Sequence, residues 1–302
     1  MKINITGSSG FVGKNLSHYL SINFFSIEKI SLRDLNWKNN LTGDAIIHLA
    51  GKAHDTKNTS QASEYFEVNT NLTKELFDEF LKSDVKDFIY FSSVKAVADE
   101  VLEILYEDTH PNPKTAYGQS KLQAEDYILS KQIPEGKRIL IIRPCMIHGP
   151  GNKGNLNLLY QLVSKGLPWP LGAFENQRSF LSIENLCFVI KELLENERIP
   201  SGVYQVADDK SLSTNELIKL LGETLGKKSL IWDVNSLFIK AVAKIGDFLS
   251  LPLNSERLEK LTENYLVSNE KIVKVIGKAL PISAEIGLMK TFESFKKKNK
   301  KK

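Results

Sequence analysis

Cysteine is scarce in this chain. Its 302 residues hold two, Cys145 and Cys187, too few for a disulfide scaffold and in keeping with a reducing compartment. Both sit in apolar runs, Cys145 behind Pro144 and Cys187 inside Leu186-Cys-Phe-Val-Ile190, so each reads as a small buried hydrophobe. Long apolar runs are missing as well. Nothing approaches the roughly 18 consecutive residues of a membrane helix, and the N-terminus enters a strand instead of a basic-then-apolar leader. These absences predict a cytoplasmic protein with no integral membrane segment. No His/Cys/Asp/Glu cluster has metal-ligand spacing, so no metal is expected. The body also lacks a strong excess of charge. The formal charge of +4 includes six lysines in the tail Lys296-Lys-Lys-Asn-Lys-Lys-Lys302, and without them it becomes −2. That argues against a nucleic-acid groove. The tail reads as a solvated end, the alternative being nonspecific attraction to anionic lipid or other polyanions.

What is present is a regular alternation. Apolar content of 42% and charged content of 25% are those of an ordinary globular chain, long enough for one large domain or two joined ones. Strand-like runs at Lys2–Thr6, Ile27–Leu32, Ala45–Leu49, Asp87–Ser92 and Arg138–Arg143 are separated by helix-like segments at Val12–Leu20, Ala62–Lys82 and Ala116–Ser130. Several strands are apolar on consecutive residues, as strands covered on both faces should be. The pattern predicts an α/β fold with an open parallel sheet, whose ligands gather beyond the C-terminal strand ends. From Pro144 onward it changes: the glycine turns His148-Gly-Pro-Gly-Asn-Lys-Gly154 and Pro168-Trp-Pro-Leu-Gly172 interrupt it, and helix-like stretches such as Leu156–Ser164 and Ile183–Glu197 dominate. Gly202–Val206 reads as a strand, and Ser213-Thr-Asn-Glu216 as a helix entrance with a capping box. The expected organisation is a dinucleotide-binding domain over 1–150, a smaller mixed substrate lobe over 151–295, and the tail 296–302. The strand near 202–206 is a candidate to pack back on the first domain.

Two short motifs carry chemistry. The run Lys2-Ile-Asn-Ile-Thr-Gly-Ser-Ser-Gly-Phe-Val-Gly13 joins a strand to an amphipathic segment through Gly7, Gly10 and Gly13. Such glycines let the chain turn, leave room for a pyrophosphate, and let the helix lie close to the sheet, while the helix N-terminus supplies N–H groups for phosphate. A bare glycine turn is the alternative. Further on, Tyr117-Gly-Gln-Ser-Lys121 places a phenol and an ammonium four apart on one helix face. An ammonium beside a phenol lowers the phenol's pKa and equips it to exchange a proton with a hydroxyl while hydride moves. Ser92 and Ser93, at the end of the strand Asp87–Ser92, offer a hydroxyl to steady the reacting oxygen. Cys145 beside His148 is set aside as a nucleophile pair because no third group orients it.

With these residues in view, the chain resembles the extended short-chain dehydrogenase/reductase family, in its nucleotide-sugar epimerase/dehydratase branch. The likeness runs through Thr6-Gly-Ser-Ser-Gly-Phe-Val-Gly13, Asp44-Ala-Ile-Ile-His-Leu-Ala-Gly51, Val68-Asn69, Phe91-Ser-Ser93, Tyr117-Gly-Gln-Ser-Lys121, Arg143-Pro144 and His148-Gly-Pro-Gly151. It implies a Rossmann-type doubly wound parallel sheet with a smaller mixed C-terminal lobe. It gives Gly7, Gly10, Phe11, Val12 and Gly13 to the pyrophosphate, and Leu49, Ala50 and Gly51 to the length of the dinucleotide. Asn69 would stand behind it, with Ser92 and Pro144 also on the cofactor side. Tyr117 would be the acid/base, Lys121 would tune it and hold the nicotinamide ribose, and Ser93 would face the substrate. Relatives often have the hydroxyl where this chain could align Val94. Asn155 and Arg178 would hold the sugar-nucleotide diphosphate, with Arg257 as a second contact. Exposed surface is the alternative for Arg178, and a packed turn is the alternative to a substrate wall for Leu167-Pro-Trp-Pro170.

Cofactor and reaction follow from finer points. NAD enzymes of this kind usually carry an acidic residue on the adenosine ribose after the second strand. Here Ile30-Ser-Leu-Arg-Asp34 puts Ser31 and Arg33 where a 2′-phosphate would lie, which favours NADP over NAD, with plain loop surface the alternative for Arg33; the resemblance places Asp34 toward the adenine. The acidic residue that dehydratases place beside the catalytic hydroxyl is absent, since Val94-Lys-Ala96 follows Ser93. Phe91-Ser-Ser-Val-Lys95 together with Gly172-Ala-Phe-Glu-Asn-Gln-Arg-Ser-Phe180 resembles bacterial enzymes of surface-polysaccharide sugar synthesis. The resulting expectation is reduction at C4 of a UDP-linked 4-keto-6-deoxy sugar, with a UDP-sugar 4-epimerase as the alternative and an inactive cofactor-binding sensor more remote. The resemblance also implies a homodimer through Ala62–Lys82 and Ala116–Ser130.

Overall fold

Consecutive aliphatic and aromatic residues make strands that need cover on both faces, and the first half of the chain supplies both. The computed structural model describes residues 1–52, 61–101, 103–152, 156–249 and 254–299. From the N-terminus come β1 (Lys2–Thr6), α1 (Phe11–Ile22), β2 (Ser26–Ile30) and β3 (Ala45–His48). A long helical stretch follows, in which α2 (Ala62–Tyr65) passes through a π-helical segment, Phe66–Asn71, into α3 (Leu72–Lys82). Next are β4 (Asp87–Phe91), the short β5 (Ile104–Leu105), α4 (Ala116–Leu129) and β6 (Arg138–Pro144). Then come β7 (Met146–His148), α5 (Leu156–Ser164), β8 (Phe180–Ser182), α6 (Ile183–Glu195) and β9 (Gly202–Val206). The chain continues with α7 (Thr214–Leu225), α8 (Ser236–Leu249), α9 (Ser255–Thr262), β10 (Leu266–Val267), α10 (Glu270–Ile276) and α11 (Ala284–Asn299).

Six strands form one parallel sheet in the order β2-β1-β3-β4-β6-β9. Alternate residues of each strand feed different cores. On one face Ile3, Ile5, Ala45, Ile47, Ile89 and Leu140 pack with Leu16 and Leu20 of α1 and Leu186 and Ile190 of α6. On the other, Ile46, Phe88, Tyr90 and Ile141 pack with Leu76, Phe77 and Phe80 of α3 and Ala124 and Ile128 of α4. The sheet is therefore doubly wound. Its last strand, β9, comes from the second half of the chain and pairs Leu140 with Gly202 and Pro144 with Val206. The chain leaves β1 toward β2 and returns on the other side at β3, so a crevice opens beyond their C-terminal ends. A further core of Leu159, Phe180, Leu217, Ile239, Leu258, Leu288 and Phe292 joins α5, α7, α8, α9 and α11 into a second lobe. Ser213 and Glu216 form the capping box that starts α7. Among the described residues, no helix is long and apolar enough to cross a membrane.

Element ends shift where side chains or turns intervene. β2 stops at Ile30 because the Asp34 amide donates to Ser31 O, closing a turn over residues read as strand. The pairs β5–β10 and β7–β8 are too short to leave a period-two signature in the sequence.

The side of α4 that faces the sheet buries charge. Glu125, with no exposure, accepts from Arg143 Nε at 3.0 Å and from Arg143 Nη2, and also from the Ser92 hydroxyl. Arg143 ends β6 and Ser92 follows β4, so one carboxylate ties the helix to two strands. Removing one partner leaves a buried charge without compensation. Glu125→Ala should therefore lower the unfolding free energy by about 3–5 kcal/mol, and the joint change Glu125→Leu with Arg143→Met should recover much of it. Urea titrations of the three chains check this.

Candidate active site

The crevice beyond β1 and β3 is shaped by missing side chains. Gly7 has φ +69, and a Cβ there would lie 2.5 Å from Ala50 N, so only glycine lets the turn pass the Leu49–Ala50 backbone. A Cβ on Gly13 would lie 2.4 Å from Gly7 O and 2.6 Å from Ser8 Cα, and its absence lets α1 lie against the turn. Gly10 differs. Its Cβ would meet only Gly7 O, at 3.3 Å, and would otherwise project into open space. Gly10 is also the N-cap of α1, a helix start with no side-chain cap and no acidic residue in its first turn. Phe11 and Val12 turn their side chains into the core, which leaves their backbone N–H groups to the crevice. These features fit a dinucleotide pyrophosphate, because the helix N-terminus is uncapped, uncrowded and free of opposing charge.

A buried relay fixes the other lip. The Ala50 amide donates to Thr6 Oγ1, which meets His48 Nδ1 at 2.7 Å, while His48 Nε2 meets Thr73 Oγ1 at 2.9 Å and Thr73 donates to Asn69 O. Because the Thr73 proton goes to Asn69, His48 must donate from Nε2 and accept at Nδ1. Burial holds this imidazole neutral, with its pKa lowered to about 3. Asn69 lies in the π-helical segment, a distortion common at functional sites. Its Oδ1 accepts from the Lys52 amide, and its Nδ2 donates to Ser120 Oγ and Lys52 O. A Cβ on Gly51 would lie 3.0 Å from Asn69 Oδ1 and 3.3 Å from Lys121 Nζ, so these three residues converge.

Tyr117 opens α4, whose cap is Thr115: its Oγ1 accepts from the Gly118 amide and donates to Asp99. A Cβ on Gly118 would lie 2.3 Å from Lys95 O, and this close approach brings Tyr117 onto the loop after β4. There the two serines separate. Ser93 lies beside the Tyr117 side chain, close enough to lower the phenol's pKa, and accepts from the Lys95 amide. The Ser92 hydroxyl is turned to Glu125. Val94 is buried in the core, so the hydroxyl facing Tyr117 belongs to Ser93. The Tyr65 ring stands edge-on to Tyr117, with centroids 6.1 Å apart.

The electrostatics correct the expected tuning. Burial raises the Tyr117 pKa, the neighbouring Ser93 side chain opposes that rise, and Tyr65 adds to it. The Lys121 ammonium donates instead to Phe91 O at 2.9 Å and lies 5.0 Å from the Tyr90 ring centroid. Burial lowers its own pKa to about 8, against the pull of Glu125.

On the substrate side, Arg178 pairs its backbone with Leu212, donates from Nη1 to Lys260 O at 2.7 Å, and sets Nη2 3.1 Å from Glu263 Oε1. A carboxylate already balances the guanidinium, a feature the sequence reading lacks. Lys95 extends this wall: its Nζ lies 4.2 Å from the Tyr265 ring centroid, and Tyr265 donates to Ala98 O. Arg257, in the first turn of α9, has its amide capped by Asn254 and is exposed. Asn155 lies outside the described residues. Ser31, Arg33 and Asp34 are exposed in the turn after β2, where Asp34 Oδ1 accepts from the Asn36 amide. Pro144 is buried at the end of β6. Within Leu167–Pro170, Trp169 is buried and donates to Asn215 Oδ1, while Leu167 is exposed. Burial raises the Cys145 thiol's pKa, and His148 turns to Thr291 and Asp208. Among the described residues, no group of three His, Cys, Asp or Glu could hold a metal.

Sequence reasoning passes over Glu125, His48, Lys95 and Glu263. Glu125 left one signal: it continues the four-residue spacing of Tyr117 and Lys121. The other three depend on contacts across long stretches of chain.

Residues 3–207 match the family model described as "NAD dependent epimerase/dehydratase family". The UDP-glucose 4-epimerase of Vibrio cholerae is 30% identical, over 98% of this chain and 96% of that protein. The GDP-6-deoxy-D-mannose reductase of Pseudomonas aeruginosa is 29% identical, over 74% of this chain and 79% of that protein. Among solved structures, RMD from Pseudomonas aeruginosa complexed with NADPH superposes with a TM-score of 0.75 at 22% identity, covering 98% of this chain and 99% of that one.

Two measurements test the site's construction. Gly13→Ala should lower stability by about 1–3 kcal/mol, because its Cβ would strike backbone. Gly10→Ala should stay within about 1 kcal/mol of the parent yet lose dinucleotide affinity. Thermal melts and nicotinamide fluorescence titrations separate the two effects. For Lys121 the linkage has a definite sign. Below pH 8 both folded and unfolded chains carry the proton, and the fold bears the full cost of burying it. Between its folded pKa of about 8 and the ordinary 10.5, only the unfolded chain keeps the proton, so this term raises stability with rising pH. Lys121→Met should abolish that contribution, seen as a wild-type-minus-variant difference in urea melts on either side of pH 8.

Proposed function

The chain belongs to the NAD dependent epimerase/dehydratase family, and from that footing we propose that it acts at C4 of a nucleotide-linked hexose or N-acetylhexosamine. Within that class, the proposed reaction is reduction of a UDP-linked 4-keto-6-deoxy sugar in surface-polysaccharide synthesis. The observation that carries the reading is the half-buried Tyr117 set beside the buried Ser93 after β4, next to a crevice that fits a dinucleotide. When bound, the nicotinamide supplies the hydride. The N-terminus of α1, from Gly10, would hold the pyrophosphate, and Gly51, Asn69 and Lys121 the ribose side. Tyr117 would deliver its proton to the C4 oxygen, with the Ser93 hydroxyl steadying that oxygen. Burial keeps the phenol protonated, and this is the form a reduction consumes.

Arg178, held by Glu263 and Lys260, would meet the substrate diphosphate together with Arg257 and Asn155. Exposed Ser31 and Arg33 after β2 favour NADP over NAD. Lys95 occupies the loop where a dehydratase would need an acid, which disfavours elimination. A cytoplasmic location and a homodimer through residues 62–82 and 116–130 complete the proposal. One observation favours 4-epimerisation as the second reading: the relative matched over 98% of the chain is a UDP-glucose 4-epimerase. An inactive sensor is the remote third.

The test supplies NADPH or NADH with a UDP-4-keto-6-deoxy-N-acetylhexosamine and follows the absorbance of the reduced nicotinamide. Repeated stoichiometric loss is expected, faster with NADPH. Tyr117→Phe should cut kcat by about 10²–10⁴ while cofactor binding persists. No loss with either coenzyme, but interconversion of UDP-GlcNAc with UDP-GalNAc or of the UDP-glucose pair, would replace the reductase with an epimerase. Cofactor binding with no turnover of any of these substrates would leave the sensor.

A further inference from the structure

Surface helices ordinarily turn their apolar face to the core, and α8 does the reverse. Its inward side is the small set Ile239, Ala243 and Gly246. Its outward side carries Leu237, Phe238, Ile245, Phe248 and Leu249, with Phe248 90% and Leu237 73% exposed. At 100° per residue these five fall within one arc of the helix. Lys240 and Lys244 border that arc, and among the described residues neither has an ion-pair partner. The one acid of the helix, Asp247, is engaged by the amide and hydroxyl of Ser255. A continuous apolar stripe edged by unpaired lysines is the pattern of a helix lying in the plane of a lipid interface, with its lysine stems along the apolar zone and their ammonium groups at the head-group phosphates.

We propose that the outward face of α8 docks this protein on an anionic lipid bilayer. Both faces of the helix support this. The stripe supplies apolar insertion, the lysines supply complementarity to phosphate, and the tail Lys296–Lys302 adds charge of the same sign. Among the described residues the helix covers Ser236–Leu249, too short to span a membrane, so it would lie on the surface. Its inward residues share a core with Leu258 of α9, and the end of α9 receives Arg178 at Lys260 O. Docking would therefore set the second lobe, on the side of the candidate diphosphate contact, next to the membrane.

Flotation of the full chain with vesicles of phosphatidylglycerol and phosphatidylethanolamine in equal parts tests this, with phosphatidylcholine vesicles as the uncharged control. The wild type should float with the anionic vesicles and not with the control. Leu237→Ser with Phe248→Ser, and separately Lys240→Glu with Lys244→Glu, should each weaken partition by about tenfold or more, with dinucleotide binding unchanged. Phe248→Ser alone alters a side chain that is 90% exposed, so it keeps the test independent of folding. Failure of the wild type to float would overturn the proposal. So would undiminished flotation of the α8 variants, which would assign the attraction to the lysine tail. Sedimentation velocity showing a dimer that Phe248→Ser dissolves, with no vesicle binding, would give the face to a second copy of the chain instead.

Discussion

One buried carboxylate fixes the geometry on which the candidate site depends. Glu125 lies on α4 with no exposure and receives Arg143 and Ser92 from the ends of neighbouring strands. A charge taken out of water at such a position is tolerable only with its partners in place. That requirement leaves α4 little freedom to slide or rotate on the sheet. Tyr117 and Lys121 precede Glu125 on the same helix face at four-residue spacing, so the arrangement that satisfies Glu125 also brings Tyr117 to Ser93 and Lys121 to the Phe91 carbonyl. The Thr115 cap and the contact at Gly118 fix the other end of the helix.

His48 and Lys121 are buried and Tyr117 half-buried, and each ionisable member responds to that. His48 stays neutral between two threonine hydroxyls, Lys121 holds its proton less firmly than in water, and Tyr117 holds its proton more firmly. In a low dielectric, fixed hydrogen bonds count for more than they do in solvent. The chain of contacts from Ala50 through Thr6, His48 and Thr73 to Asn69 places a backbone lip with no net charge. It leaves the positive character of the crevice to the start of α1 and to Lys121.

The second lobe is joined to the sheet by more than sequence continuity. β9 extends the sheet beside β6, and Tyr265, which pairs with the Arg178 backbone, reaches Ala98 on the loop that carries Ser93 and Lys95. The Arg178–Glu263 pair and Lys95 thus share one wall. Movement of the second lobe would be felt by the same loop that positions the Ser93 hydroxyl.

The sequence by itself determined the α/β class, the six sheet strands, the long helices and the glycine turn. Each of these is a local pattern of period, cap or missing side chain. β1, β9 and α5 stand where the residues put them, and the Ser213 capping box starts α7 as read. Tyr117 and Lys121 were legible as one helix face. What those groups touch was decided only by the tertiary structure. The choice of Ser93 over Ser92 depends on where Glu125 lies. The direction of the Tyr117 shift depends on burial, and the carboxylate opposite Arg178 comes from a distant helix end. The two-residue strands and the π-helical turn at Asn69 leave too little periodic signal to read. Spacing along a chain fixes which side chains share a face. Which partner that face meets, and how much water is left between them, depends on contacts between residues far apart in sequence.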